Sequence, residues 1–333
     1  AFLLDIGEKP YRLKQIHEWL WKKGVRDFDS MKNLPKNLID ELKNHFCFEE
    51  LKAEQILVSN DGTVKFSFLT HDNKITEGVL IPSGSRRTAC ISTQVGCPLA
   101  CSFCATGQSG FDRNLSFPEI FDELSIIKDY SIAADCNSLS NIVIMGMGEP
   151  MLNLEETLKM IDTITSPNYW GMSPKRITLS TVGIIKGIYA FAEVNNGVEL
   201  AVSLHNAIQE ERLEIIPAAF ANPIVQLSEA LKYYYKKTGQ RITIEYVLLK
   251  NVNDKIEHAE ALAQFCKNFP VKVNIIEYNS TSLRFKKSTN ESLFIFEEFL
   301  KSKNIVVNVR KSRGEDIMAA CGQLAAKNKK NKS

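Results

Sequence analysis

The sequence predicts an α/β protein: an incomplete (β/α)6 barrel, preceded by a small helical domain and followed by a C-terminal extension. Three observations carry this reading. From about residue 85, short β-rich runs alternate with helical periodicity, the pattern of parallel strands joined by crossover helices. Residues 1–50 carry helical periodicity only. Cysteines, glycines and short polar residues recur directly after successive strand patterns, where a barrel of this kind places its functional loops.

The elements follow in order. Residues 9–24 read as a helix with Leu13, Ile16 and Leu20 on one face and Lys22-Lys23-Gly24 as its stop signal; 35–46 read as a second helix. Trp19 and Trp21 beside Lys22 and Lys23 offer either core packing or an RNA contact. Residues 51–84 form a β-rich connecting segment, with Ile56–Val58 and Thr63–Leu69 joined through Asn60-Asp61-Gly62, a hairpin signal, and then Ile75–Ile81. The barrel spans 85–310. Its six predicted strands are Thr88–Thr93, Asn141–Met145, Arg176–Thr181, Glu199–Leu204, Ile242–Leu248 and Val271–Glu277, with helices near 117–134, 154–165, 186–194, 226–238 and 254–268. A further helix near 290–303 and strand Val306–Arg310 lead into a C-terminal segment, 311–333.

Composition narrows the class. The 333 residues are 44% hydrophobic and 24% charged, an ordinary balance for a soluble chain with a sizeable core. No apolar run approaches the length of a membrane span, and no secretory signal is read. The sequence does not begin with Met, and the expectation is that a short N-terminal piece is missing. Eight cysteines without regular spacing argue against a secreted disulfide scaffold, so a reducing cytoplasm is the expected compartment. Net charge is +2, but residues 301–333 hold nine Lys/Arg against two Asp/Glu. This basic tail either contacts phosphates or merely solvates the chain end.

The chemistry centres on Cys97, Cys101 and Cys104, spaced C-x3-C-x2-C. Soft thiolates this close suit iron–sulfur or zinc. A structural zinc site wants four ligands, and no second Cys or Cys/His pair lies nearby. Three thiolates on a four-iron cubane leave one iron open for a substrate, and this spacing is the signature of the radical S-adenosylmethionine (SAM) enzymes. Other strand-end loops add Met145-Gly146-Met147-Gly148-Glu149-Pro150, where glycine permits close backbone approach to a ligand and Glu149 suits an ammonium group. Ser180, Ser203 and Asn279 suit ribose or carboxylate contacts. His205 by itself reads as a satisfied structural histidine; its strand-end place favours binding instead. Cys47, Cys136 and Cys266 read as small core residues.

Four stretches together resemble one family: Cys90-Ile91-Ser92-Thr93-Gln94-Val95-Gly96-Cys97, Cys101-Ser102-Phe103-Cys104-Ala105-Thr106-Gly107, the Met145–Pro150 loop, and Ala319-Ala320-Cys321-Gly322-Gln323-Leu324. The resemblance is to the RlmN family of dual-specificity 23S rRNA and tRNA adenine-C2 methyltransferases, in the RlmN/Cfr branch of the radical SAM superfamily. It runs over nearly the whole chain, including Gly7-Glu8-Lys9-Pro10-Tyr11-Arg12 and Trp19-Leu20-Trp21-Lys22-Lys23-Gly24. It implies that Cys97, Cys101 and Cys104 hold one [4Fe–4S] cluster per chain. Gly148, Glu149, Ser180, Ser203, Leu204, His205 and Asn279 match SAM-contacting positions. Cys321 matches the methyl-carrying cysteine, Cys90 its disulfide partner and Glu77 a proton acceptor. Residues 1–50 become an RNA-binding accessory domain. The implied substrates are an adenosine of 23S rRNA in the peptidyl transferase centre and the adenosine 3′ to the tRNA anticodon. An electron donor such as flavodoxin with flavodoxin reductase, no membrane partner and a monomeric state complete the expectation.

The chemistry explains this residue set. Adenine C2 is electron-poor and cannot attack the methyl of SAM, whereas a thiolate can. Cys321 would take a methyl from one SAM; an adenosyl radical made from a second would remove hydrogen from that methyl. The S-methylene radical adds to C2, a base removes the C2 proton, and a second thiol expels the sulfur as a disulfide. Either Cys90 or Glu77 can take the proton. Two alternatives stand: the C8-methylating Cfr type, and a non-catalytic iron–sulfur or zinc RNA-binding protein. The second leaves Cys90, Cys321 and the barrel-end loops without a purpose.

Overall fold

The computed structural model describes residues 2–48, 51–281 and 284–325. Of the basic tail read above at residues 301–333, residues 326–333 lie outside the described residues.

The N-terminal unit holds α1 (Phe2–Asp5), α2 (Tyr11–His17), which continues as a π-turn over Glu18–Lys22, and α3 (Lys36–His45). Ile16, Met31, Leu38 and Leu42 form its small core. Trp21 turns out of that core onto Phe117 and Phe121, with ring centroids 4.6 and 5.2 Å away. Arg26 pairs with Asp122 beside it. Trp19 stays with the N-terminal core and carries Lys23 Nζ 3.4 Å from its ring centroid. One tryptophan is therefore a strut between the two units, and the other keeps the aromatic and basic pairing.

The next strands are β1 (Lys52–Val58), β2 (Val64–Leu69), β3 (Ile75–Ser83) and β4 (Arg86–Cys90), each antiparallel to the one before it. The β1–β2 turn falls on Asn60-Asp61-Gly62, as the sequence predicts, with Gly62 at φ +83°. A separate two-stranded ribbon follows, β5 (Gln94–Gly96) and β6 (Phe111–Asn114), with the short helix α4 (Ala105–Gln108) between them. Then β7 (Asn141–Ile144), β8 (Ile177–Thr181), β9 (Glu199–Ser203), β10 (Ile242–Leu248), β11 (Val271–Glu277) and β12 (Val306–Arg310) extend β4 in parallel. The result is one ten-stranded sheet in the order β1-β2-β3-β4-β7-β8-β9-β10-β11-β12. The segment 51–84 is thus part of the barrel sheet and extends it by three antiparallel strands.

Helices α5 (Phe117–Asp135), α6 (Leu154–Thr165), α7 (Ile185–Val194), α8 (Gln209–Ile215) with α9 (Ile224–Thr238), α10 (Ile256–Cys266) and α11 (Asn290–Ser302) fill the crossovers. The longest, α5, starts with a capping box between Ser116 and Glu119 and stops at Cys136, whose φ of 59° is left-handed. Alternation along β2 sends Phe66 and Phe68 to the α5 side, against Ile127, all fully buried. Each Phe contributes about 1.5–3 kcal/mol of transfer free energy. The same alternation turns Lys65 to the opposite face, where the C-terminal segment lies.

The cysteines read as core residues divide. Cys266 is buried, and burial pushes its thiol up to about 12. Cys47 and Cys136 are exposed, which corrects that expectation: Cys136 is the left-handed residue that ends α5, and Cys47 follows the end of α3. Among the described residues, no helix is long and apolar enough to cross a membrane.

Candidate active site

The cysteine loop leaves β5 at Gly96. A Cβ there would stand 2.1 Å from the carbonyl oxygen of Gly110, and its φ is +78°, so only glycine fits. The Cys97 N–H donates to that same carbonyl at 2.8 Å. Ser102 N–H donates to Ile215 O at 3.0 Å, which docks the loop against the end of α8. Cys97, Cys101 and Cys104 line one cavity at the C-terminal mouth of the barrel strands. Burial pushes the Cys97 thiol up to about 12 and the Cys101 thiol well above its ordinary value.

The glycine loop after β7 enters the same cavity. Gly148, at φ +104°, has no room for a Cβ, which would fall 2.6 Å from that of Gln94. Glu149 N–H donates to Gln94 Oε1 at 2.8 Å. The Glu149 carboxylate accepts from Met151 N–H at 3.1 Å and from Val182 N–H at 2.9 Å. Burial nevertheless raises this carboxyl to about 7, the hydrogen bonds acting against the rise.

Ser180 and Ser203, at the ends of β8 and β9, line the cavity with their Oγ atoms 3.3 Å apart. His205 sits there at a left-handed φ of 57°. Its Nδ1 accepts from Val247 N–H at 3.0 Å, which leaves Nε2 to carry the ring proton. The ring stands edge-on to Phe103, centroids 4.7 Å apart. Burial, aided by the charge of Arg212, lowers its pKa to about 3, so the ring is neutral. His205 is thus both structurally satisfied and cavity-lining. Leu204 differs from the expected set: its side chain is fully buried in the main core and does not line the cavity. Asn279 lines an adjoining cavity and donates to Cys321 O at 3.3 Å.

Cys321 lies on both cavities. Its residue surface is exposed toward them, while the surrounding protein desolvates the thiol enough to raise its pKa, with Arg310 opposing. Cys90 ends β4 in the adjoining cavity, packed with Val79, Met147, Ala319 and Leu324. Burial raises its thiol far above the ordinary range. The structure therefore brings Cys90 and Cys321, 231 positions apart in sequence, to one cavity. Glu77 lines neither cavity; it is buried in contact with Lys65 at 2.9 Å and with Ala325 N–H at 2.9 Å.

Sequence reasoning missed three residues here. Glu245 faces the cavity from β10, in register with Ser203 on β9 and Asn274 on β11. One of its oxygens accepts from Asn274 Nδ2 at 2.8 Å and lies 3.4 Å from Arg310 Nη1; the other, Oε2, is buried without a partner among the described residues. Arg212 of α8 is fully buried and donates to three backbone carbonyls, of Val182, Leu204 and Asn222. The only signal for Glu245 and Arg310 was a charged residue within an apolar strand pattern. For Arg212 there was none.

These residues fit a three-thiolate iron–sulfur cluster with a bound SAM. Three free thiols and no fourth from the same loop line one cavity, glycine backbones form its wall, and Glu245, one of whose oxygens has no hydrogen-bond partner among the described residues, lines it too. Among the described residues no three such side chains converge as ligands of a single metal ion. Thiolates on separate irons of a cluster need no such convergence.

Residues 1–48 match the family described as the ribosomal RNA large subunit methyltransferase N-terminal domain, and residues 91–266 match the radical SAM superfamily. A Christiangramia forsetii protein, "Probable dual-specificity RNA methyltransferase RlmN", is 45% identical over 98% of this chain and 93% of its own length. A Thermus thermophilus protein of the same description is 45% identical over 97% of this chain and 91% of its own length. A crystal structure of a radical SAM methyltransferase from Sphaerobacter thermophilus superposes with a TM-score of 0.92 at 37% identity, covering 98% of this chain and 96% of that one.

Proposed function

This chain belongs to the RlmN family of dual-specificity radical SAM RNA methyltransferases, and from that premise we propose that it methylates C2 of adenosine in two RNAs. The targets are an adenosine of 23S rRNA in the peptidyl transferase centre and the adenosine 3′ to the anticodon in tRNA. The observation that carries the reading is the position of Cys321, which lines the cavity of Cys97, Cys101 and Cys104 and also that of Cys90.

Cys97, Cys101 and Cys104 would hold one [4Fe–4S] cluster, which with SAM supplies a 5′-deoxyadenosyl radical when bound. Gly148 and Glu149, Ser180, Ser203 and His205 would hold the cofactor by backbone approach and by short polar contacts. Cys321, as thiolate, displaces the methyl of a first SAM and becomes an S-methylcysteine. Loss of a hydrogen atom from that methyl, with a second SAM in the site, gives a sulfur-bound methylene radical that adds to C2. The adduct radical gives up one electron, which the oxidised cluster would take back when bound, and its C2 proton; Cys90 as thiolate then attacks the Cys321 sulfur, the carbon–sulfur bond breaks with its electron pair going to the base-bound methylene carbon, that carbon takes up a proton to become the methyl group, and a Cys90–Cys321 disulfide forms. Glu77 or Cys90 takes the C2 proton. The two SAM molecules act in ping-pong order. The proposal further includes a flavodoxin-type electron donor, a monomeric enzyme and a cytoplasmic site of action.

Mass spectrometry of nucleosides from 23S rRNA and tRNA treated with the reduced enzyme decides the position. 2-Methyladenosine in both RNAs is expected. 8-Methyladenosine, or methylation of neither RNA, overturns the reading.

A further inference from the structure

The loop that carries Cys321 has a neck, and one buried ion pair holds both sides of it. Lys65 Nζ donates to Met318 O at 3.1 Å, three residues before Cys321. Glu77 Oε2 accepts from Ala325 N–H at 2.9 Å, four residues after it. Lys65 Nζ and Glu77 Oε1 are themselves 2.9 Å apart, with side chains only 9% and 7% exposed. The two residues sit diagonally on β2 and β3, where Lys65 opposes Val79 and Ser67 opposes Glu77. The same sheet edge anchors the segment leading into the neck. Asp61 accepts from Gly314 N–H at 3.0 Å, and Asp316 accepts from Ser59 Oγ at 2.5 Å and from Asn60 N–H at 3.1 Å.

We propose that Lys65 and Glu77 are positioning residues, a clasp that closes the neck of the 318–325 loop and so sets where the Cys321 sulfur stands. Three features favour the clasp over a proton-accepting role for Glu77. Both Glu77 oxygens are engaged, one by a cation and one by an amide. Its side chain lines neither cavity that Cys321 lines. And a buried ion pair holds a unique arrangement only while both partners are present, since either charge alone is left uncompensated. The inference rests on the reading of Cys321 as methyl carrier for its functional consequence, but not for its geometry.

The test uses the cluster-reconstituted enzyme under anaerobic conditions, with Glu77→Gln, Lys65→Met and the charge-neutral double variant. Hydrogen exchange over residues 318–325 and alkylation of Cys321 by iodoacetamide, followed on its peptide, report the neck. Methyl loading of Cys321 from SAM reports the first chemical step. The clasp predicts faster exchange and alkylation in both single variants, by about two- to tenfold for loss of one ordinary hydrogen bond. Both variants also load methyl more slowly, and neither accumulates RNA joined to Cys321. The double variant keeps the same phenotype without leaving a lone buried charge, so it decides the matter if a single variant misfolds. Unchanged exchange and alkylation overturn the clasp. So does a Glu77→Gln variant that loads methyl normally and stalls with RNA attached while Lys65→Met turns over normally, because that is the behaviour of a proton acceptor. If wild-type Cys321 never carries a methyl, the methyl-carrier reading fails, and exchange with alkylation still judges the clasp.

Discussion

Ala105 and Gly322 are joined by a backbone hydrogen bond: the N–H one residue after Cys104 donates to the carbonyl one residue after Cys321, at 2.8 Å. Thr106 Oγ1 reinforces it by donating to Leu324 O at 2.6 Å. The cysteine loop and the Cys321 loop are therefore one hydrogen-bonded unit, although 217 positions separate the bonded residues. The order of one loop supports the order of the other.

Cys101→Ala tests this unit. Cys101 is buried against Ile215 and Ile216, and the small change to alanine is expected to leave the barrel folded. The variant is expected to bind little iron and sulfide and to cleave no SAM. Through Ala105 and Thr106 it is also expected to raise hydrogen exchange over 322–325, by about two- to tenfold for one weakened hydrogen bond. A normal cluster spectrum with SAM cleavage contradicts the ligand assignment; unchanged exchange in a cluster-free variant contradicts the coupling.

Gly148→Ala tests the cavity wall. The backbone there holds φ at +104°, and a Cβ meets Gln94 at 2.6 Å. A side chain in such a region costs on the order of 1–3 kcal/mol. The strain is relieved by pushing the Gln94–Glu149 contact apart, so SAM affinity is expected to fall by about tenfold for each 1.4 kcal/mol lost. Equilibrium dialysis with the reconstituted protein reads this; wild-type affinity contradicts it.

Most of the barrel was legible because its strands are short apolar runs bounded by helical periodicity, and each predicted strand from Asn141 to Arg310 appears within a residue or so of its expected place. The Cys97–Cys104 loop was legible from spacing alone. What escaped the sequence depends on contacts distant along the chain. Nothing local shows that β1–β3 pair onto the barrel edge, that Lys65 reaches Met318, or that Glu77 meets Ala325. The β5–β6 ribbon is too short for a periodicity, and α8 is seven residues long. Glu245 and Arg212 look like surface charges until their strands and helix are packed. Leu204, matched by position to a ligand contact, turns its side chain into the core and gives its N–H to the Glu245 carbonyl at 3.1 Å.

Glu123 supplies a pH signature. It is fully buried on α5, accepting from Thr76 Oγ1 at 2.9 Å and Ser92 N–H at 2.8 Å. Burial raises its carboxyl to about 8, the Ser92 and Thr76 hydrogen bonds opposing. The folded protein then holds a proton that the unfolded chain, with a glutamate near about 4.3, has released. Stability from this group is complete below the unfolded value and is lost as pH rises toward 8. Urea midpoints are expected to fall between pH 5 and pH 8 in the wild type and to change less in Glu123→Gln, which keeps a neutral group there. Equal slopes in the two proteins contradict the assignment.

The two cysteines of the adjoining cavity give the last test. Cys90 is held rigidly by Val79, Met147, Ala319 and Leu324, while Cys321 stands on a loop with its surface open to both cavities. In the proposed mechanism, forming the bond from sulfur-bound carbon to C2 uses Cys321, and breaking carbon from sulfur uses a second thiol to take the sulfur. Cys90→Ala is therefore expected to begin the reaction and stall, with RNA covalently attached at Cys321. Cys321→Ala is expected to form neither adduct nor methylated RNA, and the double variant to behave like Cys321→Ala, because the earlier loss hides the later one. Burial keeps the Cys90 thiol protonated well above neutral pH, so the resolving step is also expected to quicken as pH rises, as a thiolate attack does. A gel shift that survives denaturation and disappears with ribonuclease reports the adduct, and peptide mass analysis places it. Normal turnover by Cys90→Ala makes that residue structural, and methylation by Cys321→Ala removes the methyl carrier from the mechanism.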